Sequence, residues 1–309
     1  MDQKALRGSL LLLLGSVIWG AAFAAQRVGM DHVGPFTFSG IRMLLAGLVM
    51  IPVSLLSGKK QAAQVSGRQQ LKGGLLCGLF LFAATSLQQV GLVSTDAGKA
   101  GFITALYVVL VPVAGWLFLR KNPGRVIWAG VLLAVAALYL LCVPQTGFRM
   151  ETGDLLVLGC AVCFTGQILC VDHFAPHVSG TALARDEFLV TGVLSMLIAV
   201  CTEQITLDGI REAAIPILYT GLLSGAVGYT LQIIGQKDVN PTLASLIMCL
   251  ESVFAVLSGV VLLGESMNAR EIAGCVLMFT AVVLAQLSPL IEKRLFKERK
   301  GKKNGTASR

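Results

Sequence analysis

Residues 100–140 read AGFITALYVVLVPVAGWLFLRKNPGRVIWAGVLLAVAALYL, and residues 244–284 read ASLIMCLESVFAVLSGVVLLGESMNAREIAGCVLMFTAVVL. Laid over one another at a spacing of 144 without a gap, they match at Ala100/Ala244, Ile103/Ile247, Leu106/Leu250, Val109/Val253, Gly115/Gly259, Leu119/Leu263, Ala129/Ala273, Gly130/Gly274, Leu133/Leu277, Ala137/Ala281 and Leu140/Leu284. The same spacing places Leu87, Gln88 and Gly91 on Leu231, Gln232 and Gly235, and Gly15 on Gly159. Apolar helices resemble one another by composition alone, so the constant register and the polar Gln88/Gln232 match carry the case for an internal duplication.

Composition sets the solvent. Of 309 residues, 55% are apolar and 14% charged, too little polar surface for a soluble chain of this size. The formal charge of +8 does not point to nucleic acid, because residues 291–309 hold eight basic and two acidic residues, a net +6 of the total. A short basic tail after the last apolar segment reads as a topology signal or a contact with anionic lipid.

About 20 apolar residues span the hydrocarbon of a bilayer. Ten segments meet that length: 9–28, 35–57, 71–91, 98–119, 125–143, 153–171, 183–202, 213–235, 242–263 and 270–289. Turn residues separate them, among them Gly34-Pro35, Asn122-Pro123-Gly124 and Asn240-Pro241. The expected fold is an all-α polytopic membrane protein of ten transmembrane helices. It divides into repeats over 1–145 and 146–290 and a basic cytoplasmic tail over 291–309. Lys4, Arg7, the apolar run after them and Ala22-Phe23-Ala24 imitate a cleaved secretory signal. The first segment nevertheless has a counterpart at the sixth, so it is expected to stay as a helix.

With the N-terminus inside, nineteen Lys and Arg fall on the cytoplasmic side and five on the other, which puts both termini in the cytoplasm. Five helices per repeat is an odd number, so the second repeat enters the membrane from the opposite face. The two halves are then inverted repeats, the arrangement that supports alternating access. Both the multi-pass build and the basic bias suit a plasma (inner) membrane.

Two ionisable residues lie deep inside segments, where charge is costly and therefore marks candidate function. Arg42 follows Pro35 by seven residues and Glu251 follows Pro241 by ten, or about 10 and 15 Å into a core about 30 Å thick. Glu251 is a candidate to carry a coupling proton or meet a cationic group, and Arg42 to meet an anionic one. A structural ion pair between them is the competing explanation. Tyr107 falls on Glu251 across the repeat, and Gln88, Gln232, Gln89 and Gln167 are amides expected to face inward, for substrate or for hydrogen bonds between helices. Gly74, Gly78, Gly221, Gly225 and Gly228 suit close helix packing. The eight cysteines, including Cys160-x-x-Cys163, sit in apolar segments and read as small hydrophobes. His173 and His177 fall at a loop interrupted by Pro176 and read as solvated.

The pattern Trp19-Gly20-x-x-Phe23 with Arg27, then Pro35-x-x-Phe38-x-x-x-Arg42-x-x-x-Ala46, resembles the first two helices of EamA-type members of the drug/metabolite transporter superfamily. Residues 101–112, GFITALYVVLVP, resemble that family's fourth helix, and Leu250-Glu251-Ser252-Val253-Phe254-Ala255 through Leu263-Gly264-Glu265 its ninth. The resemblance implies two inverted five-helix halves, with helices 1–4 and 6–9 around a central cavity and helices 5 and 10 peripheral. It also implies ATP-independent movement of metabolites, amino acids or drugs, usually outward, and adds Trp19 to the candidate site. Ser252 stands where the family often has Pro, which leaves a helix break there open. Arg120-Lys121 replaces, in the first half, the Gly264-Glu265 of the second.

The expected function is secondary active transport of a small metabolite, amino acid or drug-like solute, in the outward direction that the resemblance implies. A membrane-embedded acyl or glycosyl transferase would need an acid/base cluster at the interface, and Asp31, Asp96, Glu151, Asp154, Glu203 and Asp208 are scattered. A membrane sensor would need a ligand or signalling domain that the short loops do not supply. No enzyme activity, cofactor, metal or nucleic-acid partner is expected. The expected partners are a small-molecule solute and the lipid bilayer, and a homodimer is left open.

Overall fold

The structure, a computed structural model, describes residues 3–58, 67–95, 97–120, 122–143, 151–263 and 267–306. It runs α1 (Gln3–Met30), α2 (Pro35–Gly58), α3 (Gly67–Leu92), α4 (Ala97–Ala105), α5 (Tyr107–Leu119), α6 (Arg125–Cys142), α7 (Thr152–Phe174) and α8 (Gly180–Thr202). Then come α9 (Leu207–Glu212), α10 (Ala214–Leu218), a π-helical stretch (Tyr219–Tyr229), α11 (Thr230–Gln236), α12 (Pro241–Met248), α13 (Leu250–Leu263) and α14 (Ala269–Thr306). No strand occurs among the described residues.

Burial follows the logic of a lipid solvent. Leu56, Phe118, Val261 and Ile215 lie 74–80% exposed on the outside, while Arg42, Gln88, Gln89, Gln167, Glu187, Gln232, Gln236 and Glu251 are buried. Hydrocarbon solvates the outer side chains, and polar groups turn inward to find partners. Among the described residues, nine helices are long and apolar enough to cross a bilayer. The 23-residue α8 is outside that set because no 18 consecutive residues of it avoid Arg185, Asp186 and Glu187. At 1.5 Å per residue it is still about 35 Å long.

The segments expected as single helices differ in three places. Segment four divides into α4 and α5 at Leu106, and segment nine into α12 and α13 at Cys249. Both divisions are short 3₁₀ steps: Leu106 N–H bonds Ile103 O and Val109 N–H bonds Leu106 O, while Ser252 N–H bonds Cys249 O. The break beside Glu251 therefore forms without the proline that Ser252 replaces. Segment eight is π-helical over its 11 middle residues, whereas its repeat counterpart in α3 is α-helical throughout. The last helix continues past its apolar 20 residues into the basic tail, as far as Thr306.

Helix contacts are reciprocal under exchange of the halves. A side chain at Gly130 of α6 would meet Ala281 O of α14 at 3.2 Å, and one at Gly274 of α14 would meet Ala137 O of α6 at 3.1 Å. Both steps, from 130 to 274 and from 137 to 281, are 144. In α2 and α8, Gly47 faces Leu189 and Gly192 faces Leu44. Between α1 and α11, a side chain at Gly8 would meet Gly235 O at 2.7 Å, and between α7 and α3, one at Gly153 would meet Gly91 O at 2.7 Å. In each self-equivalent pair, numbers rise along one helix as they fall along the other, so α2/α8 and α6/α14 cross antiparallel. Glycine at these crossings lets backbones approach to van der Waals contact.

Those contacts also correct the register. Gly8 corresponds to Gly153, Leu44 to Leu189 and Gly47 to Gly192, a spacing of 145 in α1/α7 and α2/α8, against 144 from α3 onward. The Gly15/Gly159 match is thus a coincidence of composition, one residue out of structural register.

Candidate functional site

Where the two halves meet, the helices line a partly open cavity. Its walls include Trp19, Gln26, Arg42, Gln88, Thr104, Tyr107, Phe164, Gln167, Ser224, Tyr229, Gln232, Met248 and Glu251, and so bring together seven of the eight residues singled out from sequence. They come from α1, α2, α3, α4, α5, α7, the π stretch, α11, α12 and α13; among the described residues α6 and α14 contribute none, and neither does α8, the seventh segment, which the resemblance places around the cavity. Gln89 turns away, donating to Met30 Sδ at 3.2 Å.

Much of the lining consists of equivalent positions. Trp19 corresponds to Phe164 and Ala22 to Gln167 at 145, and Gln88 to Gln232, Thr104 to Met248 and Tyr107 to Glu251 at 144. Tyr107 Oη donates to Glu251 Oε1 at 3.4 Å, and Cys249 Sγ lies 3.6 Å from Ala105 O, two contacts between a residue and its own equivalent. A residue touches its counterpart only next to a two-fold axis, so the axis passes through the two helix breaks and the cavity.

The aromatic wall is fixed from several sides. Trp19 donates its indole N–H to Ser224 O at 3.0 Å, and its ring lies 5.0 Å from that of Tyr229, which meets Phe188 at 5.9 Å. Ser224 and Tyr229 belong to the π stretch, a geometry that recurs at functional sites. In the first half, Gln88 Nε2 donates to Thr104 Oγ1 at 3.2 Å. In the second, Gln232 Nε2 donates to Gln167 Oε1 at 3.0 Å and to Gln236 Oε1 at 3.1 Å.

Arg42 and Glu251 share the cavity, but no ion pair joins them among the described residues. Glu251 accepts from Tyr107 instead. Arg42 is 2% exposed, its guanidinium lies 5.7 Å from the Phe38 ring centre, and its Nε and Nη2 have no hydrogen-bond partner. A buried guanidinium with N–H groups left without partners is costly unless something else supplies acceptors.

The expectation of two deep ionisable residues is corrected by Glu187. It is fully buried in α8, and its Oε2 accepts from Gln167 Nε2 at 3.4 Å. At the 145 spacing, Glu187 is the counterpart of Arg42. Sequence reading also missed Gln26, Thr104, Phe164, Ser224 and Tyr229; the corrected register would have drawn Phe164 from Trp19.

An all-helical, multi-pass protein with a cavity of mixed aromatic and polar lining at the join of two similar halves has the build of a membrane transporter. The family comparison agrees: a model described as the EamA-like transporter family matches residues 6–143 and again 151–287. This chain belongs to that family. An uncharacterized transporter of Archaeoglobus fulgidus is 32% identical over 285 residues, covering 92% of this chain and 87% of the relative. The uncharacterized inner membrane transporter YedA of Escherichia coli is 24% identical, covering 88% of each chain. An S-adenosylmethionine/S-adenosylhomocysteine transporter of Chlamydia muridarum is 24% identical, covering 83% of this chain and 84% of the relative. A solved crystal structure superposes with a TM-score of 0.77 at 19% identity, covering 93% of this chain and 98% of the other, and so shares the fold.

Proposed function

We propose that this protein is a ten-span secondary transporter that exports a small metabolite, amino acid or drug-like solute by alternating access. Its halves are 1–145 and 146–290, inverted with respect to the membrane, and 291–309 is a basic cytoplasmic tail. The observation that carries the reading is the cavity on the two-fold axis, into which both halves send polar side chains. Antiparallel crossing of equivalent helices supports inversion, because a two-fold axis in the membrane plane lets the halves exchange conformations and turn one cavity from side to side. The relative that carries S-adenosylmethionine or S-adenosylhomocysteine supports a polar metabolite as cargo.

In this reading Glu251 carries the coupling proton or meets a cationic group, and the unpartnered Arg42 meets an anionic group. Trp19, with Tyr229 and Phe164, packs against the apolar body of the solute. Gln88, Gln232, Gln167 and Tyr107 orient it. Solute flux in inverted vesicles, across a metabolite panel with and without a pH gradient, tests this. Protein-dependent flux that responds to the gradient is expected, and no such flux for any solute would count against transport. A C-terminal alkaline phosphatase fusion should be inactive; activity in the periplasm would contradict cytoplasmic termini in the inner membrane and with them the inversion.

A further inference from the structure

Glu187 does not line the cavity, yet it ends a chain of amides that does. Its Oε2 accepts from Gln167 Nε2, Gln167 Oε1 accepts from Gln232 Nε2, and Gln232 Nε2 also donates to Gln236 Oε1. The bonds along this chain run in one direction. With Glu187 accepting, Gln167 turns its NH2 toward Glu187 and its carbonyl toward Gln232. Gln232 then spends both amide hydrogens on Gln167 and Gln236. What remains for the cavity is its Oε1, an acceptor.

The first half has no such device. The counterparts of Glu187, Gln167 and Gln236 are Arg42, Ala22 and Leu92. Gln88, the counterpart of Gln232, donates instead to Thr104. The two walls are therefore unlike: a donor at Arg42 on one side, acceptors at Gln232 and Glu251 on the other.

We infer that Glu187 is a positioning residue that holds Gln232, through Gln167, with its carbonyl turned to the cavity, so that the second half selects solutes bearing an N–H or O–H donor. This rests on the transport reading of the cavity, but its first test does not use transport. In protein labelled with ¹⁵N at glutamine side chains and held in micelles, both amide protons of Gln232 should exchange slowly with water. A Gln232→Leu sample assigns the signal. Glu187→Leu should speed that exchange roughly tenfold or more by freeing the amide to turn, and Gln167→Leu should do the same, which serves if the first variant does not fold. Glu187→Gln keeps an acceptor in place and should restore slow exchange, a rescue that a space-filling role would not give. Unchanged Gln232 exchange in folded Glu187→Leu or Gln167→Leu protein would overturn the inference.

Selection is read in vesicles by comparing glycine with glycine betaine and ethanolamine with choline, pairs that differ in N–H donors. The wild type should favour the donor-bearing member, and Glu187→Leu should narrow that preference. An unchanged preference would also overturn the inference. Protein that moves no solute of the wider panel argues against transport, and the exchange measurement then decides the positioning role by itself.

Discussion

The two halves share a backbone plan but not a polarity. At one pair of equivalent positions the first half places Arg42 and the second Glu187; at another the first places Tyr107 and the second Glu251. The packing glycines show the reverse: Gly130 and Gly274 make matching contacts, as do Gly47 and Gly192. Close packing needs the same small residue on both sides of the axis, because each crossing is built from the same surface twice. A binding cavity has no such need. Structure is conserved between the halves where helices touch and diverges where they face the cavity.

The strongest way to break this comparison is at Glu251. Glu251→Gln is expected to reduce gradient-driven flux to background while leaving solute binding or exchange largely intact. Normal gradient-driven flux in a stably expressed Glu251→Gln protein would remove Glu251 from coupling. Arg42→Gln comes next: with no ion-pair partner to strand, it should leave thermal stability unchanged or higher. It should raise KM for solutes with an anionic group about tenfold or more, from loss of a charge-assisted hydrogen bond of about 1.5–3 kcal/mol. Stability effects of Arg42→Gln and Glu251→Gln should add to within about 0.5 kcal/mol. A larger coupling, measured by thermal melts of the double variant, would indicate a pair that the structure does not contain.

The packing side of the comparison is sharpened by Gly47→Leu and Gly192→Leu. Each forces a side chain against the opposite helix and should cost about 1–3 kcal/mol, by similar amounts. Unequal melts would show that the crossing is less symmetric than its contacts. Glu203→Ala should cost about 1–2 kcal/mol. This residue follows α8 and caps the first turn of α2, accepting from Phe36 N at 2.8 Å and from Thr37 N and Oγ1 at 2.7 Å. The smallest effect is expected from Tyr107→Phe, which loses one bond to Glu251 and should cost about 1 kcal/mol or less in the same melts.

The apolar runs, the duplication and the family are legible in the sequence because length and hydrophobicity are local properties. Arg42 and Glu251 stand out because single charges interrupt long apolar stretches. Glu187 does not, since it follows Arg185 and Asp186 and reads as the polar start of a helix beside a loop. Its kinship with Arg42 is hidden by a one-residue change in spacing that only contacts such as Gly8 with Gly235 expose. The 3₁₀ steps at Leu106 and Cys249 and the π stretch at Tyr219–Tyr229 are backbone choices made by tertiary packing, with no proline at either step to announce them.

The contact of Tyr107 with Glu251 bears on how a one-chain protein differs from a dimer of half-length chains. In a dimer of identical five-helix subunits, whatever occupies this position on the axis must face itself, and two carboxyls in contact cannot both be ionised without strong mutual repulsion. Joining the halves in one chain lifts that restriction. A single acid can then stand at the centre of the assembly with a phenol, rather than its own twin, for a neighbour.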